Sequence, residues 1–357
     1  MHIPDGYLSP LTCAALYGAS LPAWVVASRK VRKVVKSRSV PLLAVGAAYC
    51  FLVMMFNIPV PDGTTAHAVG AVLVAVLLGP WAAVVAVSVA LAIQALFFGD
   101  GGVLAFGANA FNLAVVMPLS GYAVYRLLSR GASLTSRRRA VAAGIGGYVG
   151  LNAAALLTAI EFGIQPSLFH AADGTPLYAP FDLAHTIPAM ALAHLTVAGA
   201  VEFALTMGVI AYLQRANLPL LRINHRGVES AVVEGDQAGE GDVPARPRWR
   251  LLVVAFAVMV ALTPLGLVAP GSAFGEDAPE DLDLAAYDID AVPKGLRSYA
   301  GFWHNTLFDD YGFADERYPQ LAYILSAVIG IGAIAVVVGG AALTVRFVQR
   351  RRVVATT

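Results

Sequence analysis

The sequence predicts an all-α protein: a polytopic membrane helical bundle of about nine transmembrane helices, N-terminus outside and C-terminus inside. Two observations lead there. Of 357 residues 58% are hydrophobic and only 13% charged, with a mean hydropathy of +0.69, whereas soluble domains carry roughly a quarter charged residues. The apolar residues are also gathered into nine stretches, most of them close to the roughly 20 residues that cross a bilayer core as helix. A net charge of +1 does not suit a nucleic-acid binder, and Cys13 and Cys50 lie inside apolar runs as small core residues.

The stretches run over 8–28, 41–56, 65–79, 81–98, 105–128, 140–162, 184–213, 251–269 and 321–347. Gly79-Pro80 stops one helix and starts the next. The second and third are short, so either they span with help from their neighbours or one is partly re-entrant. With the N-terminus outside, all but Lys294, Arg297 and Arg317 of the 24 basic residues fall on the cytoplasmic side, as the positive-inside rule requires. No basic n-region precedes the first apolar run, so no removable signal peptide is expected and the mature chain should begin at Met1.

A polar, Gly- and Pro-containing stretch divides the chain. Residues 1–215 read as a seven-helix body and 216–249 as a cytoplasmic linker. Residues 250–357 read as a two-helix accessory region with an acidic external loop. Phe302, Trp303, Phe308 and Tyr311 in that loop are suited to pack it against the body. Ala14 and Gly18, and Gly146 and Gly150, have the small-xxx-small spacing that lets membrane helices approach closely.

Of the seven histidines, His2 is the most informative. A free α-amine on Met1, the amide nitrogen of His2 and its imidazole can close two adjacent chelate rings on one ion. Nickel(II) and copper(II) favour such square-planar nitrogen ligation. One in-plane position stays free, and His67, at external depth, is the best candidate to fill it. Pro4 and Gly6 suit a turn that folds the terminus back into the bundle, where Asp5 is expected to accept a hydrogen bond from the amine or a histidine N–H. The plainer alternative is a solvated terminus and a polar helix-end histidine. Gln94, Asn109, Asn112 and Asn152 read as hydrogen-bonding residues between helices. Glu161, His185, His194 and Glu202 are further ionisable groups at membrane depth, with His194 and Glu202 sharing roughly one helix face two turns apart.

No G-x-x-x-x-G-K-[ST] or H-E-x-x-H motif occurs, so neither a P-loop ATPase nor that class of zinc protease is encoded. Gly99-Asp100-Gly101-Gly102 reads as an external turn. An intramembrane metalloenzyme, with Glu161 or Asp5 as base, and a passive cation channel are the alternatives to a carrier subunit.

Several motifs carry a family resemblance. Met1-His2-Ile3-Pro4-Asp5-Gly6, Pro59-Val60-Pro61-Asp62-Gly63-Thr64-Thr65-Ala66-His67, Leu78-Gly79-Pro80-Trp81-Ala82, Gln94-Ala95-Leu96-Phe97-Phe98-Gly99-Asp100-Gly101-Gly102 and Gly107-Ala108-Asn109-Ala110-Phe111-Asn112 resemble the CbiM/NikM family. These are substrate-binding (S) components of cobalt and nickel energy-coupling-factor (ECF) ABC transporters. From about 250 onward the chain looks like the CbiN/NikN accessory partner, although its P-D-G-L-E-like stretch here reads Pro293-Lys294-Gly295-Leu296-Arg297. The resemblance implies a subunit of a prokaryotic inner-membrane importer that captures Ni2+ or Co2+ as transported ligand and uses no cofactor. It implies a transmembrane coupling subunit (CbiQ/NikQ type) and an ABC ATPase (CbiO/NikO type) as partners. It also implies Met1, His2 and His67 as metal ligands.

Overall fold

The computed structural model describes residues 1–34, 40–60, 65–225, 249–269, 272–315 and 317–354. It is almost wholly helical. Helices α1 (Pro10–Val34) and α2 (Val40–Met54) are followed by a two-residue hairpin, β1 (Ile58–Pro59) with β2 (Thr65–Ala66), paired Ile58 to Ala66 and Pro59 to Thr65. Then come α3 (Ala71–Leu78), α4 (Pro80–Ile93), α5 (Phe106–Asn109), α6 (Met117–Leu128), α7 (Arg137–Gly163), α8 (Gln165–Leu168), α9 (Leu183–Ala193), α10 (Gly199–Ala216) and α11 (Leu218–Arg222). The C-terminal region supplies α12 (Trp249–Leu262), α13 (Lys294–Tyr299) and α14 (Pro319–Val354). The expected linker lies outside the described residues over 226–248.

Three π-helical turns interrupt these helices: Gln94–Phe98 extends α4, Ala110–Val116 joins α5 to α6, and His194–Ala198 joins α9 to α10. Such turns widen the helix by one residue and occur frequently at functional sites. The first and third border the centre described below, through Gln94 and through the strand before His67.

Among the described residues, six helices are long and apolar enough to cross a membrane: Pro10–Val31, Pro80–Phe98, Phe106–Leu128, Arg137–Leu168, Leu183–Ala216 and Pro319–Val345. Val40–Met54 and Leu252–Val268 are shorter apolar helices. The third expected span differs most. Thr65 and Ala66 are strand, Gly70 takes a left-handed φ of 75°, and only Ala71–Leu78 is helical. Eight residues rise about 12 Å, too little to cross the core alone. This stretch is apolar because α3 is buried among other helices, a state that hydropathy does not separate from a span.

Small residues set the closest helix contacts, as expected on α7. A methyl on Gly146 would strike the carbonyl of Gly121 on α6, and one on Gly150 the carbonyl of Met117. Ala14 and Gly18 do not act this way, because nothing lies within 4 Å of a Cβ placed on Gly18 and the Ala14 face of α1 is exposed.

The C-terminal region docks on the body. Trp303 Nε1 donates to Leu96 O, Leu307 N and Phe308 N donate to Phe97 O, and Tyr311 stacks on Phe98. Leu296 of α13 is buried, Gly295 N and Leu296 N both donate to Leu177 O, and Gly6 abuts the Leu296 carbonyl. Thus the loop that departs from the family pattern packs directly beneath the N-terminal turn.

Candidate metal centre

The first eight residues are drawn inside the bundle. Met1 and His2 are each 3% exposed, and Ile3 and Leu8 fully buried. This burial has an explicit polar framework, since buried backbone groups must find partners. Ile3 N donates to Asn109 Oδ1 at 2.8 Å, Asn109 Nδ2 donates back to Ile3 O at 3.0 Å, and Gly102 N donates to the same carbonyl at 2.8 Å. Tyr7 O accepts from Ala179 N, and Tyr7 Oη donates to Asp277 O. Asn109, read as a bond between helices, therefore fastens the N-terminal segment.

Asp5 does something other than expected. Its carboxylate accepts from Val103 N and Ala105 N, both at 3.0 Å, and touches neither the amine nor an imidazole. It ties the terminus to the turn that leads into α5. Burial raises its pKa against the lowering effect of these backbone donors.

Two other acids take the part assigned to Asp5. Glu276 Oε1 lies 2.8 Å from the Met1 amine, and Asp100 Oδ1 lies 2.6 Å from His2 Nδ1. The second oxygen of Asp100 accepts from Tyr311 Oη at 2.5 Å and Gln94 Nε2 at 3.1 Å. Burial works to raise the Asp100 carboxyl, but the His2 imidazole and the Tyr311 hydroxyl outweigh it and hold the pKa down to about 2. Gly99-Asp100-Gly101-Gly102 is thus more than a turn. Gly99 and Gly101 have φ of 69° and 81°, and a side chain on Gly102 would collide with Asp5. The only sequence signal for Asp100 was an acid inside a glycine-rich turn. Tyr311 was legible only as an aromatic that packs the loop on the body, and Glu276 gave no signal; they lie 211 and 275 residues from their partners.

His2 and His67 meet as expected. Their rings stack with centroids 4.9 Å apart and planes 25° from parallel. His67 is 3% exposed, and its Nδ1 bonds Ala68 O at 3.0 Å, which makes Nδ1 the donor and leaves the Nε2 lone pair free. The Nε2 atoms of His2 and His67 are both buried without a hydrogen-bond partner. A buried polar atom left unpaired costs about 1–3 kcal/mol, so two in contact call for an explanation. Among the described residues no group of three or more His, Cys, Asp or Glu gathers to hold an ion. An ion here would need backbone nitrogens, and those of Met1 and His2 are adjacent.

The His67 segment is itself held. Glu202 Oε2, on α10, accepts from Val69 N at 2.8 Å and Gly70 N at 2.9 Å, and Glu202 is fully buried. Asn112 and Glu161 pair at 2.7 Å, whereas His185 is exposed and pairs with Asp182 at 2.8 Å.

Residues 2–220 match the family model described as the cobalt uptake substrate-specific transmembrane region, CbiM. The chain belongs to the CbiM family. Its likeness extends beyond that region: the fused nickel transport protein NikMN of Rhodobacter capsulatus is 47% identical over 352 residues, covering 95% of this chain and 96% of that protein. The C-terminal region is accordingly the NikN-like part of a fused CbiM-family chain. The cobalt transport protein CbiM of Geobacter sulfurreducens is 33% identical over 280 residues, covering 76% of this chain and 73% of that protein. A crystal structure of a truncated transition-metal transporter is 56% identical, with a TM-score of 0.56, covering 60% of this chain and 98% of that one. This CbiM-family chain is a membrane protein of the nickel and cobalt transport class.

Proposed function

We propose that the chain is the substrate-capture subunit of an ECF-type ABC importer for nickel or cobalt. It takes the ion from outside the cell membrane and releases it inward when partner ATPases act. The ion is held by the Met1 amine, the amide and imidazole nitrogens of His2, and Nε2 of His67. One observation carries this reading: the buried imidazoles of His2 and His67 stack at 4.9 Å with Nε2 of His67 unpaired, beside the buried amine. Relatives that match over 90% or more of this chain are named for nickel, which favours nickel as cargo. Partners are a coupling subunit of CbiQ/NikQ type and an ABC ATPase of CbiO/NikO type. Nine passes, N-out and C-in, in a prokaryotic inner membrane remain the proposed topology, the third made by residues 65–79 as an extended stretch plus the short α3, with 1–215, 216–249 and 250–357 as body, linker and accessory region.

The chelate ring that joins the amide nitrogen to the His2 imidazole closes through Nδ1. That atom now holds Asp100. Loading therefore turns the ring about Cβ–Cγ, presenting Nδ1 to the ion and the opposite edge to Asp100, which keeps the imidazole oriented. The amine and amide protons leave to water. Magnesium and calcium, which prefer more numerous oxygen ligands, are excluded by donor type.

His2→Gln removes the imidazole, and with it the chelate ring closed through Nδ1, while keeping a donor for Asp100. Calorimetry with nickel chloride should show tight binding lost while the chain stays folded in detergent; unchanged affinity overturns the terminal site.

A further inference from the structure

A third buried imidazole lies on the turn that packs against the strand leading to His67. His194, at the start of the π-turn between α9 and α10, is 3% exposed. Its Nδ1 bonds Met190 O at 2.8 Å, so the lone pair is on Nε2, and that atom is buried with no partner. This is the same condition found at His67. The bond to Met190 O uses Nδ1 alone, so the helix gives Nε2 no partner.

Its position follows from two contacts along one helix. Thr65 and Ala66 pack against the His194–Ala198 turn, and Val69 and Gly70 bond Glu202 two turns further on. His67 is thus bracketed between the levels of His194 and Glu202. His194 is on the Leu183 side of that bracket, the end of the bundle where Ala179 bonds Tyr7 and the accessory loop covers the terminus.

We infer that His194 is a loading ligand: it takes the incoming dication on Nε2 and passes it to the terminal nitrogens and His67. The chemistry gives such a group a task. Chelation cannot finish until the amine leaves Glu276, the His2 ring turns and the amide proton is lost. An exchangeable imidazole holds the partly dehydrated ion meanwhile. On transfer the His194–ion bond breaks as the chelate forms, the two chain protons go to water, and His194 returns neutral. The inference rests on the capture reading.

A station on the path accelerates loading and unloading equally and leaves the equilibrium untouched, whereas a packing residue or a ligand of the final site changes affinity. The test uses the purified full chain and nickel chloride. The square-planar absorption band is followed by stopped flow during loading and during removal by excess chelator. His194→Gln keeps a donor for Met190 O, and His194→Phe fills the volume. Both variants should load and unload at least tenfold more slowly than wild type, with Kd within twofold. Unchanged rates in His194→Gln, or a loss of affinity comparable to that of His67→Ala, overturn the inference. A wild-type chain that develops no such band overturns the capture reading itself, so the two failures are distinguishable.

Discussion

Glu276 and Met1, 275 residues apart in the chain, meet as an ion pair at 2.8 Å between Oε1 and the terminal nitrogen. The carboxylate comes from the accessory loop and the amine from the heart of the body. Before loading, Glu276 faces one positive charge on the ammonium. After loading, it faces a dication whose charge is reduced to one by the deprotonated amide. Glu276→Gln should therefore change nickel affinity by less than about fivefold, the equivalent of about 1 kcal/mol, while lowering the thermal midpoint. Calorimetry and a melting curve measure the two, and a hundredfold loss of affinity would make Glu276 a ligand instead.

Asp100 orients His2 directly, and its loss should be costlier. Asp100→Asn is expected to weaken nickel binding about 10–100-fold, the usual effect of removing the group that orients a metal-bound histidine. Tyr311→Phe removes only one donor to the same carboxylate and should cost less. An equal loss in both variants would mean that docking of the loop, not aim of the imidazole, is what matters.

Asp5 acts through the backbone, as does Gly102. Asp5→Asn replaces one acceptor with a donor facing an N–H, and Gly102→Ala forces a methyl into Asp5. Both should loosen the N-terminal segment, seen as faster proteolysis near Tyr7 in the ion-free protein and protection on adding nickel. Protease resistance equal to wild type in both variants would remove the anchoring role.

Much of this was legible in the sequence. His2 and His67 could be paired because topology put both on one side and because a histidine at position 2 has a specific chelating geometry. The acids could not be assigned. Asp5 is near the amine in sequence, so it looked like the partner, yet the chain reverses at Gly6 and delivers its carboxylate to Val103 and Ala105. Asp100 and Glu276 come from a turn and a loop without periodicity, and no pattern rule links positions 275 residues apart. The length of α3 was misread for a different reason: the left-handed Gly70 that ends the extended stretch has no hydropathy signal.

Glu202 anchors the His67 segment through two backbone donors. Glu202→Ala leaves Val69 N and Gly70 N unpaired at about 1–3 kcal/mol each and should lower both stability and nickel affinity. Glu202→Gln keeps one acceptor and should fall between wild type and alanine. Copper(II) electron paramagnetic resonance would report it, with nitrogen couplings from His67 weakening in the same order.

Affinity should climb with pH. Two chain protons leave for each ion bound, so over the range where both are lost on binding the apparent constant rises about tenfold per proton per pH unit. Titrations between pH 6 and 8 in buffers of different ionisation enthalpy give the proton count. A pH-independent constant would mean that neither backbone nitrogen is a ligand.

The grip of Glu276 on Met1 and of Tyr311 on Asp100 also fixes when the site can exist. The nitrogens emerge first from the ribosome, but the groups that hold them are made last, just ahead of α14. A nascent chain arrested before codon 276 carries the histidines without the full framework around them. Premature stops or deletions in the C-terminal third should thus be felt at the opposite end of the polypeptide, around Met1 and His2.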